Sequence, residues 1–202
     1  MVVMLERYKC PTPYHAVHTR FIGRIASPAE RIATIETIKQ LWGGELPPFD
    51  SIEDFNDLLN MLINELWNEL TQHQTPANPF RLTRIEVKPT REEFRNYVRV
   101  RHQEIEGFIE GLFGGNKALD FPETAHKAID ELGKMRAMLA GAENLLNDES
   151  KLCDLTTLKA LIYKFQEIGK IAEREMNAAI QSCKRARNQS GVHDPIVDQT
   201  MH

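Results

Sequence analysis

The sequence has no long apolar run and only three cysteines. None of its 202 residues lies in a stretch of about 18 consecutive apolar residues, so we expect no membrane span. The first nine residues lack the basic-then-apolar order of a signal peptide. Cys10, Cys153 and Cys183 are odd in number and far apart, which favours reduced thiols over a disulfide scaffold. These absences predict a cytoplasmic protein.

Sequence signatures of catalysis are also missing. There is no G-x-S-x-G nucleophile elbow, no phosphate-binding P-loop and no G-x-G-x-x-G motif. The net charge of 25 − 29 = −4 is too mild to predict nucleic-acid binding from charge alone. Hydrophobic residues at 42 % and charged residues at 27 % are ordinary for a globular protein. We therefore expect a globular protein that is not an enzyme and holds no cofactor.

The clearest helix signal covers residues 98–116. Apolar residues recur there at helical spacing and form a single stripe. Gly107 and Gly111 lie four residues apart on one side, where a neighbouring helix could approach closely. Gly114-Gly115 ends the pattern, because glycine accepts the left-handed backbone that other residues resist. This stretch is predicted to be the central helix of an all-α domain.

Further start signals predict a bundle of about six helices, arranged as two three-helix halves that share one core. The halves cover residues 11–75 and 90–187, and prolines interrupt the chain between them. Within that break, residues 84–87 favour an extended conformation but have no second strand to pair with. The helices are predicted to begin at Thr12-Pro13, Ser27-Pro28, Asp50-Ser51, Thr90, Asp120-Phe121-Pro122 and Asp154.

We expect a single all-α domain over residues 1–187. Residues 1–10 are interpreted as a loose arm, and the polar residues 188–202 as a disordered tail. The C-terminal helix is long, and apolar residues recur along it in threes and fours from Leu155 to Cys183. Such a seam is compatible with pairing to a second copy, so a homodimer is expected.

Residues 14–187 resemble the YecA/YgfB-like family of uncharacterised bacterial proteins. Three short motifs carry the resemblance. The first is Leu41-Trp42-Gly43-Gly44-Glu45 followed by Pro48-Phe49-Asp50. The second is Asn78-Pro79-Phe80, and the third is Glu106-Gly107-Phe108-Ile109-Glu110-Gly111. The resemblance implies an all-α fold, dimerisation and a regulatory or interaction role rather than an established reaction.

The sequence departs from that family's pattern in two places. Arg20 precedes Phe21 where the family usually has glycine. Many members end in a cysteine-rich tail that binds zinc and docks partners, whereas Ser190–His202 contains no cysteine. Zinc binding by a tail is therefore not expected here.

Two groups of residues have spacing that suits metal ligands. Cys10, His15 and His18 lie close in sequence, but a structural zinc site needs a fourth ligand that is not nearby. Glu123 and His126 form one Glu-x-x-His pair on a helix, whereas di-iron bundles need two such pairs and two further glutamates. Ordinary surface or half-buried side chains are the commoner outcome for both groups. We expect no metal, and keep a helical-bundle metalloenzyme as an alternative.

The basic residues between 81 and 101 form the most distinctive charged stretch. Seven cations and three glutamates give 7 − 3 = +4, and Arg91, Arg95 and Arg99 recur every four residues as a stripe on one helix. Such a stripe could bind an acidic protein, RNA or phosphate. Solvation, or pairing with the acidic side of the third helix, is the commoner outcome for surface charges.

Trp42 and Phe49 form a second candidate contact surface. Aromatic residues often anchor protein interfaces, although packing of Trp42 under Pro47-Pro48 is the more common arrangement. Together with the resemblance to the YecA/YgfB-like family, the sequence predicts a non-catalytic, cytoplasmic, bacterial interaction or regulatory protein. Its protein partner, unknown in identity, would contact Arg91, Arg95, Arg99, Trp42 and Phe49. A nucleic-acid-binding module through residues 81–101 is a less favoured alternative.

Overall fold

The computed structural model describes residues 1–29, 34–116, 118–148 and 154–189. It is built almost entirely of helices, which confirms the predicted all-α class and the long C-terminal helix. Among the described residues, no helix is both long and apolar enough to cross a membrane. The α-helices are α1 Val2–Arg7, α2 Tyr14–Ala26, α3 Thr34–Lys39, α4 Ile52–Leu59, α5 Asn68–Thr71, α6 Arg91–Phe113, α7 Glu123–Asn147 and α8 Leu155–Gln189.

α4 and α5 are the two ends of one helical rod. The eight residues between them, Asn60–Trp67, are wound as π-helix, a form that rarely extends beyond a single turn. The rod is capped by Ser51, whose hydroxyl accepts a hydrogen bond from the N–H of Asp54 at 3.1 Å. The predicted capping box on Asp50 is therefore one residue too early. A hairpin of two short strands, β1 Gln74–Thr75 and β2 Asn78–Pro79, follows the rod.

The prediction of a loose arm over residues 1–10 is wrong. These residues form α1, and Leu5 is buried in the core. The carbonyl of Tyr8 accepts a hydrogen bond from the Trp42 indole at 2.8 Å. Arg7 forms an ion pair of 3.0 Å with Asp54 on the rod. The buried Leu5, the partly buried Met1 and Met4, and these two polar contacts hold the short helix against the first half.

The predicted threonine cap of α2 is also wrong. Pro13 occupies the capping position and α2 begins at Tyr14. The Thr12 hydroxyl instead donates to the carbonyl of Leu41 at 3.1 Å, and so connects the start of α2 to the end of the next helical segment. Thr90, by contrast, caps α6 as predicted, since its hydroxyl accepts from the N–H of Glu93.

α6 is the central helix, as the sequence predicts. It packs against α2, α7 and α8, and it ends at Gly114 in the left-handed conformation. Its closest neighbour is α2, and glycines lie where the two backbones meet. A Cβ atom on Gly107 would lie 2.7 Å from the carbonyl oxygen of Ala16, and one on Gly111 would overlap the carbonyl of Arg20. From the α2 side, a Cβ on Gly23 would overlap the carbonyl of Phe108.

α8 crosses both halves of the chain. The apolar seam predicted along it is buried within the protomer from Leu158 to Cys183. Near its end, Arg187 donates to the carbonyl of Ile25 at 2.7 Å, across 162 residues of sequence. The Asn177 amide donates to the carbonyl of Phe80 and accepts from its N–H. The seam that suggested pairing with a second copy is therefore the helix's attachment to its own chain.

Some predictions fall partly outside the described residues. The helix predicted to start at Ser27-Pro28 passes through residues 30–33, and Cys153 lies within residues 149–153. Of the predicted tail, residues 188 and 189 end α8, and residues 190–202 are not described. Cys10 and Cys183 carry free thiols.

The glycine contact between α2 and α6 generates a prediction on stability. We expect Gly111→Ala to lower the free energy of unfolding by about 1–3 kcal/mol, since the methyl group would force the two backbones apart. Gly141→Ala is the matched control, because a Cβ there meets no atom within 4 Å. That substitution should raise the stability by up to about 1 kcal/mol through helix propensity. Urea denaturation of both variants measures the difference, and equal effects at the two positions would contradict the close packing.

Candidate functional site

The first member of the predicted arginine stripe has a structural role. The guanidinium of Arg91 donates from Nε to the carbonyl of Leu146 at 3.0 Å and from Nη2 to the carbonyls of Leu145 and Asp148. These carbonyls lie at the C-terminal end of α7, where the last helical turn lacks partners of its own. Arg91 thus caps a neighbouring helix.

Arg95 and Arg99 are the accessible members of the stripe. Both side chains are exposed, and Arg99 donates to the Asn96 amide oxygen at 2.8 Å. Within the described parts of the chain, neither forms an ion pair with a carboxylate. They stay candidates for contact with a partner.

The rest of the basic stretch is divided between surface and interior. Arg81 pairs with Glu173 of α8 at 2.7 Å, and Arg101 is buried in an ion pair with Glu104. Together with Arg91, three of the seven cations counted in residues 81–101 are thus engaged by this chain itself. The surface that a nucleic-acid backbone could contact is correspondingly smaller than the sequence count suggests.

Trp42 and Phe49 meet this chain's own N-terminus. The Phe49 ring lies 5.1 Å from that of Tyr8 and 5.3 Å from that of Phe55, measured between centroids. Trp42 is half-buried, with its indole N–H bonded to the carbonyl of Tyr8. Tyr8, directly after α1, therefore contacts both aromatic residues that the sequence assigned to a partner.

The residues of the first metal hypothesis bond to different neighbours. The Cys10 thiol donates to the carbonyl of Leu41, and His15 is hydrogen-bonded to the Gln103 amide at 2.8 Å. His18 stacks beside the ring of Phe80 at 5.2 Å. Burial, with a further contribution from His73, lowers the pKa of His18 to about 4.

Glu123 and His126 are both exposed and bond within their own helix. Glu123 pairs with Lys127 at 2.6 Å, and His126 Nδ1 lies 3.4 Å from Asp130. Across residues 1–29, 34–116, 118–148 and 154–189, no three histidine, cysteine or acidic side chains are grouped to hold a metal ion.

A cleft of about 620 Å³ lies between α8 and the chain that leads into α6. That chain, segment 80–88, runs without a turn or bend and forms one wall. The opposite wall is the face of α8 that carries Gln166 and Lys170, and Tyr97 and Arg101 of α6 complete the lining. We call this feature the α8 cleft.

Segment 80–88 is held in place by buried polar contacts at its first half. Arg101 is only 8 % exposed, and its Nη2 donates to the carbonyl of Thr83 at 2.6 Å. Glu104 accepts from the N–H of Thr83 at 2.9 Å, and Glu173 accepts from the N–H of Leu82 at 2.9 Å. Burial by itself would lower the pKa of Arg101, but Glu104 and the hydroxyl of Tyr97 raise it on balance.

Gly169 lets these groups lie against α8. A Cβ atom there would be 2.5 Å from the Tyr97 hydroxyl and 3.3 Å from Arg101 Nε. The Tyr97 hydroxyl donates to the carbonyl of Phe165 at 3.2 Å, and the Arg101 guanidinium lies 5.0 Å from the Tyr97 ring centroid. Tyr97, Arg101 and Gly169 thus form a rigid base for the cleft.

This cleft is not apparent from the sequence, because Arg101 is one of seven cations in the basic stretch and Gly169 falls within the apolar spacing of α8. One signal was available: an arginine and a glutamate spaced as Arg101 and Glu104 occur inside the apolar pattern of α6, where charged residues are rarely buried unless paired.

Comparisons with models of protein families, with curated proteins and with solved structures gave no match.

The role of Arg91 can be separated from that of Arg95 by stability measurements. Arg91→Ala should lower the free energy of unfolding by about 1–3 kcal/mol, because the end of α7 loses charge-assisted hydrogen bonds. Arg95→Ala, on the same helix but exposed, should change it by less than about 0.5 kcal/mol. Chemical denaturation compares the two. An unchanged midpoint for Arg91→Ala would contradict the capping role.

His18 should make the fold sensitive to acid. Its pKa of about 4 in the folded protein lies below the ordinary value of 6.5, so the unfolded chain binds the proton more tightly. Stability should fall as the pH drops below 6.5 and level off below about 4, by a total of about 3 kcal/mol. His18→Gln should remove this part of the pH dependence, as measured by denaturation at each pH. His126→Gln controls for the loss of one histidine.

Proposed function

We propose that the protein is a cytoplasmic interaction module with a regulatory role, which binds a polypeptide along the α8 cleft and catalyses no reaction itself. The observation that carries the proposal is the main chain of segment 80–88. It runs without a turn or bend, it borders an open cleft, and the N–H and carbonyl groups of residues 84–87 have no hydrogen-bonding partner among the described residues. An extended chain with free N–H and carbonyl groups is a common receptor for another polypeptide.

The rim of the cleft supports the same proposal. Tyr163 on α8 is 65 % exposed and precedes Gln166 and Lys170 of the cleft wall by one and two helical turns. Exposed aromatic side chains beside a groove are frequent anchors of protein interfaces. The resemblance to the YecA/YgfB-like family favours the same class of function in a bacterial protein. The free thiols of Cys10 and Cys183 favour a reducing compartment.

The nucleic-acid alternative has weaker support. Arg95 and Arg99 are accessible, but Arg81, Arg91 and Arg101 are bound to carboxylates or carbonyls of this chain. Nucleic-acid binding through the remaining cations would weaken steeply with salt.

Glu86→Pro tests the proposed function. Proline removes one main-chain donor from segment 80–88 and suits an extended conformation, so the fold should survive. Glu86→Gln is the matched control, since it removes the charge and keeps the donor. Each variant is immobilised and exposed to nuclease-treated lysate of the source organism, and retained proteins are identified by mass spectrometry.

We expect a stoichiometric, nuclease-resistant protein on the wild type and on Glu86→Gln, with at least tenfold less on Glu86→Pro. The same experiment on Arg95→Glu combined with Arg99→Glu tests the arginine stripe. Loss of the retained protein from that variant alone would assign binding to the α6 surface. Equal retention by Glu86→Pro and the wild type would contradict the role of the cleft.

A further inference from the structure

Residues 1–10, which comprise α1 and the three residues after it, lie on an aromatic surface of this chain. The ring of Tyr8 lies 5.1 Å from that of Phe49, and the Tyr8 carbonyl accepts the indole N–H of Trp42 at 2.8 Å. The ring of Phe55 lies 5.3 Å from that of Phe49 and extends the same surface. We call residues 1–10 the N-terminal segment, and Trp42, Phe49 and Phe55 the aromatic surface. One part of the chain thus binds another through aromatic contacts of the kind that anchor protein interfaces.

A charged contact lies beside the aromatic one. Arg7 pairs with Asp54 at 3.0 Å, and its guanidinium lies 5.4 Å from the centroid of the Tyr8 ring. Asp54 belongs to a stretch, residues 46–80, that contains several acidic residues but no lysine or arginine. Complementary charge of this kind selects which segment is bound more than it strengthens the binding. The surface therefore favours a cation directly before the aromatic residue of its ligand.

Leu5 is the apolar anchor of the N-terminal segment. It lies three residues before Tyr8, about one helical turn, and is only 4 % exposed. Met1 and Met4 are partly buried, whereas Val3 is 75 % exposed. The side chains that contact the rest of the chain thus lie on one side of α1, and Leu5 is the most deeply buried of them.

The connection after α1 is strained. Lys9 has a φ of +48°, in the left-handed region that residues other than glycine resist, and it is the only such residue in the described ranges. Strain of this kind persists where surrounding contacts impose it, and it is concentrated at ligand clamps and switches. α1 itself has six residues, too few to form a stable helix without those contacts. A ligand that replaced the contacts would therefore release both the strain and the helix.

We propose that the aromatic surface, together with Asp54, is a binding site for a short helical segment of another protein, and that the N-terminal segment is its displaceable internal occupant. The external ligand matches the chemistry of that occupant. It carries an apolar residue, then a cation and an aromatic residue at the spacing of Leu5, Arg7 and Tyr8. The site shares no residue with the α8 cleft, so this inference goes beyond the proposed function and does not depend on it.

The covalent connection makes the N-terminal segment a strong competitor. Only a few residues join it to the start of α2 at Tyr14, so it meets the site at an effective concentration on the order of millimolar. A ligand that makes the same contacts from solution is therefore excluded at lower concentrations. Binding at the aromatic surface is autoinhibited in the intact chain, and detachment of α1 relieves the inhibition.

Leu5→Asp in the full chain tests the proposal. Burial of an unpaired carboxylate is costly, so this substitution should detach α1 and open the site. Val3→Asp is the matched control, because it makes the same change on the exposed side of α1. The probe is a fluorescein-labelled peptide with the sequence of residues 1–10, kept reduced and followed by fluorescence anisotropy. We expect Leu5→Asp to bind it with a dissociation constant on the order of 100 µM. The wild type and Val3→Asp should bind it at least about tenfold more weakly.

Altered peptides test the chemistry of recognition. The peptide with Arg7→Glu brings a like charge to Asp54, and the peptide with Tyr8→Ala lacks the ring that meets Phe49, so both should bind Leu5→Asp more weakly. The peptide with Val3→Ala should bind as the original does. Equal affinity of all four peptides would overturn the proposal.

Circular dichroism and thermal unfolding verify that each variant is folded. Leu5→Ala, which removes the apolar anchor without adding a charge, replaces Leu5→Asp if the latter does not fold, and it should also bind the peptide more tightly than the wild type. Absence of peptide binding to a folded Leu5 variant would overturn the proposal, and so would equal binding by the wild type. Capture of a protein at the α8 cleft is measured separately with Glu86→Pro, so either result leaves the proposed function standing or falling by its own experiment.

Discussion

The backbone contact between α2 and α6 is the constraint on which the rest of the structure depends. Gly23, Gly107 and Gly111 let the two helices meet with main-chain atoms touching, closer than helices that carry side chains at the contact. The large side chains on either side, such as Phe21 and Phe108, are then fully buried against other elements. α7 and α8 complete the core around this pair, and the polar base of the α8 cleft is built on the α6 surface that remains.

Much of the fold could be predicted from local patterns. The span of α6, its threonine cap and its glycine stop follow from rules that act within a few residues, and so does the close approach at Gly107 and Gly111. α1 and the cap of α2 were missed for a common reason. Tertiary contacts stabilise them: Leu5 has a place in the core, and the Thr12 hydroxyl has a partner 29 residues away.

The candidate site was less predictable, because the sequence shows which residues are charged but not which of them meet a partner in the folded chain. Arg91 and Arg95 have the same spacing and the same chemistry, yet only Arg91 meets the end of α7. The spacing of Arg101 and Glu104 suggests that they pair, but only the fold shows that the pair is buried and binds the main chain of Thr83. The unbonded main chain of segment 80–88 is harder still to predict from the sequence. It depends on which other parts of the fold come within hydrogen-bonding distance of it.

The attachment of α8 to the first half has a consequence for synthesis of the chain. The carbonyl of Ile25 accepts a hydrogen bond from Arg187, which is synthesised 162 residues later. At a translation rate of about 5–20 residues per second, that interval is on the order of ten seconds. During it, α2 and the hairpin near Gln74 lack their C-terminal cover, and apolar side chains face the cellular surroundings. The part of the core that α8 covers is therefore the last to be completed during synthesis.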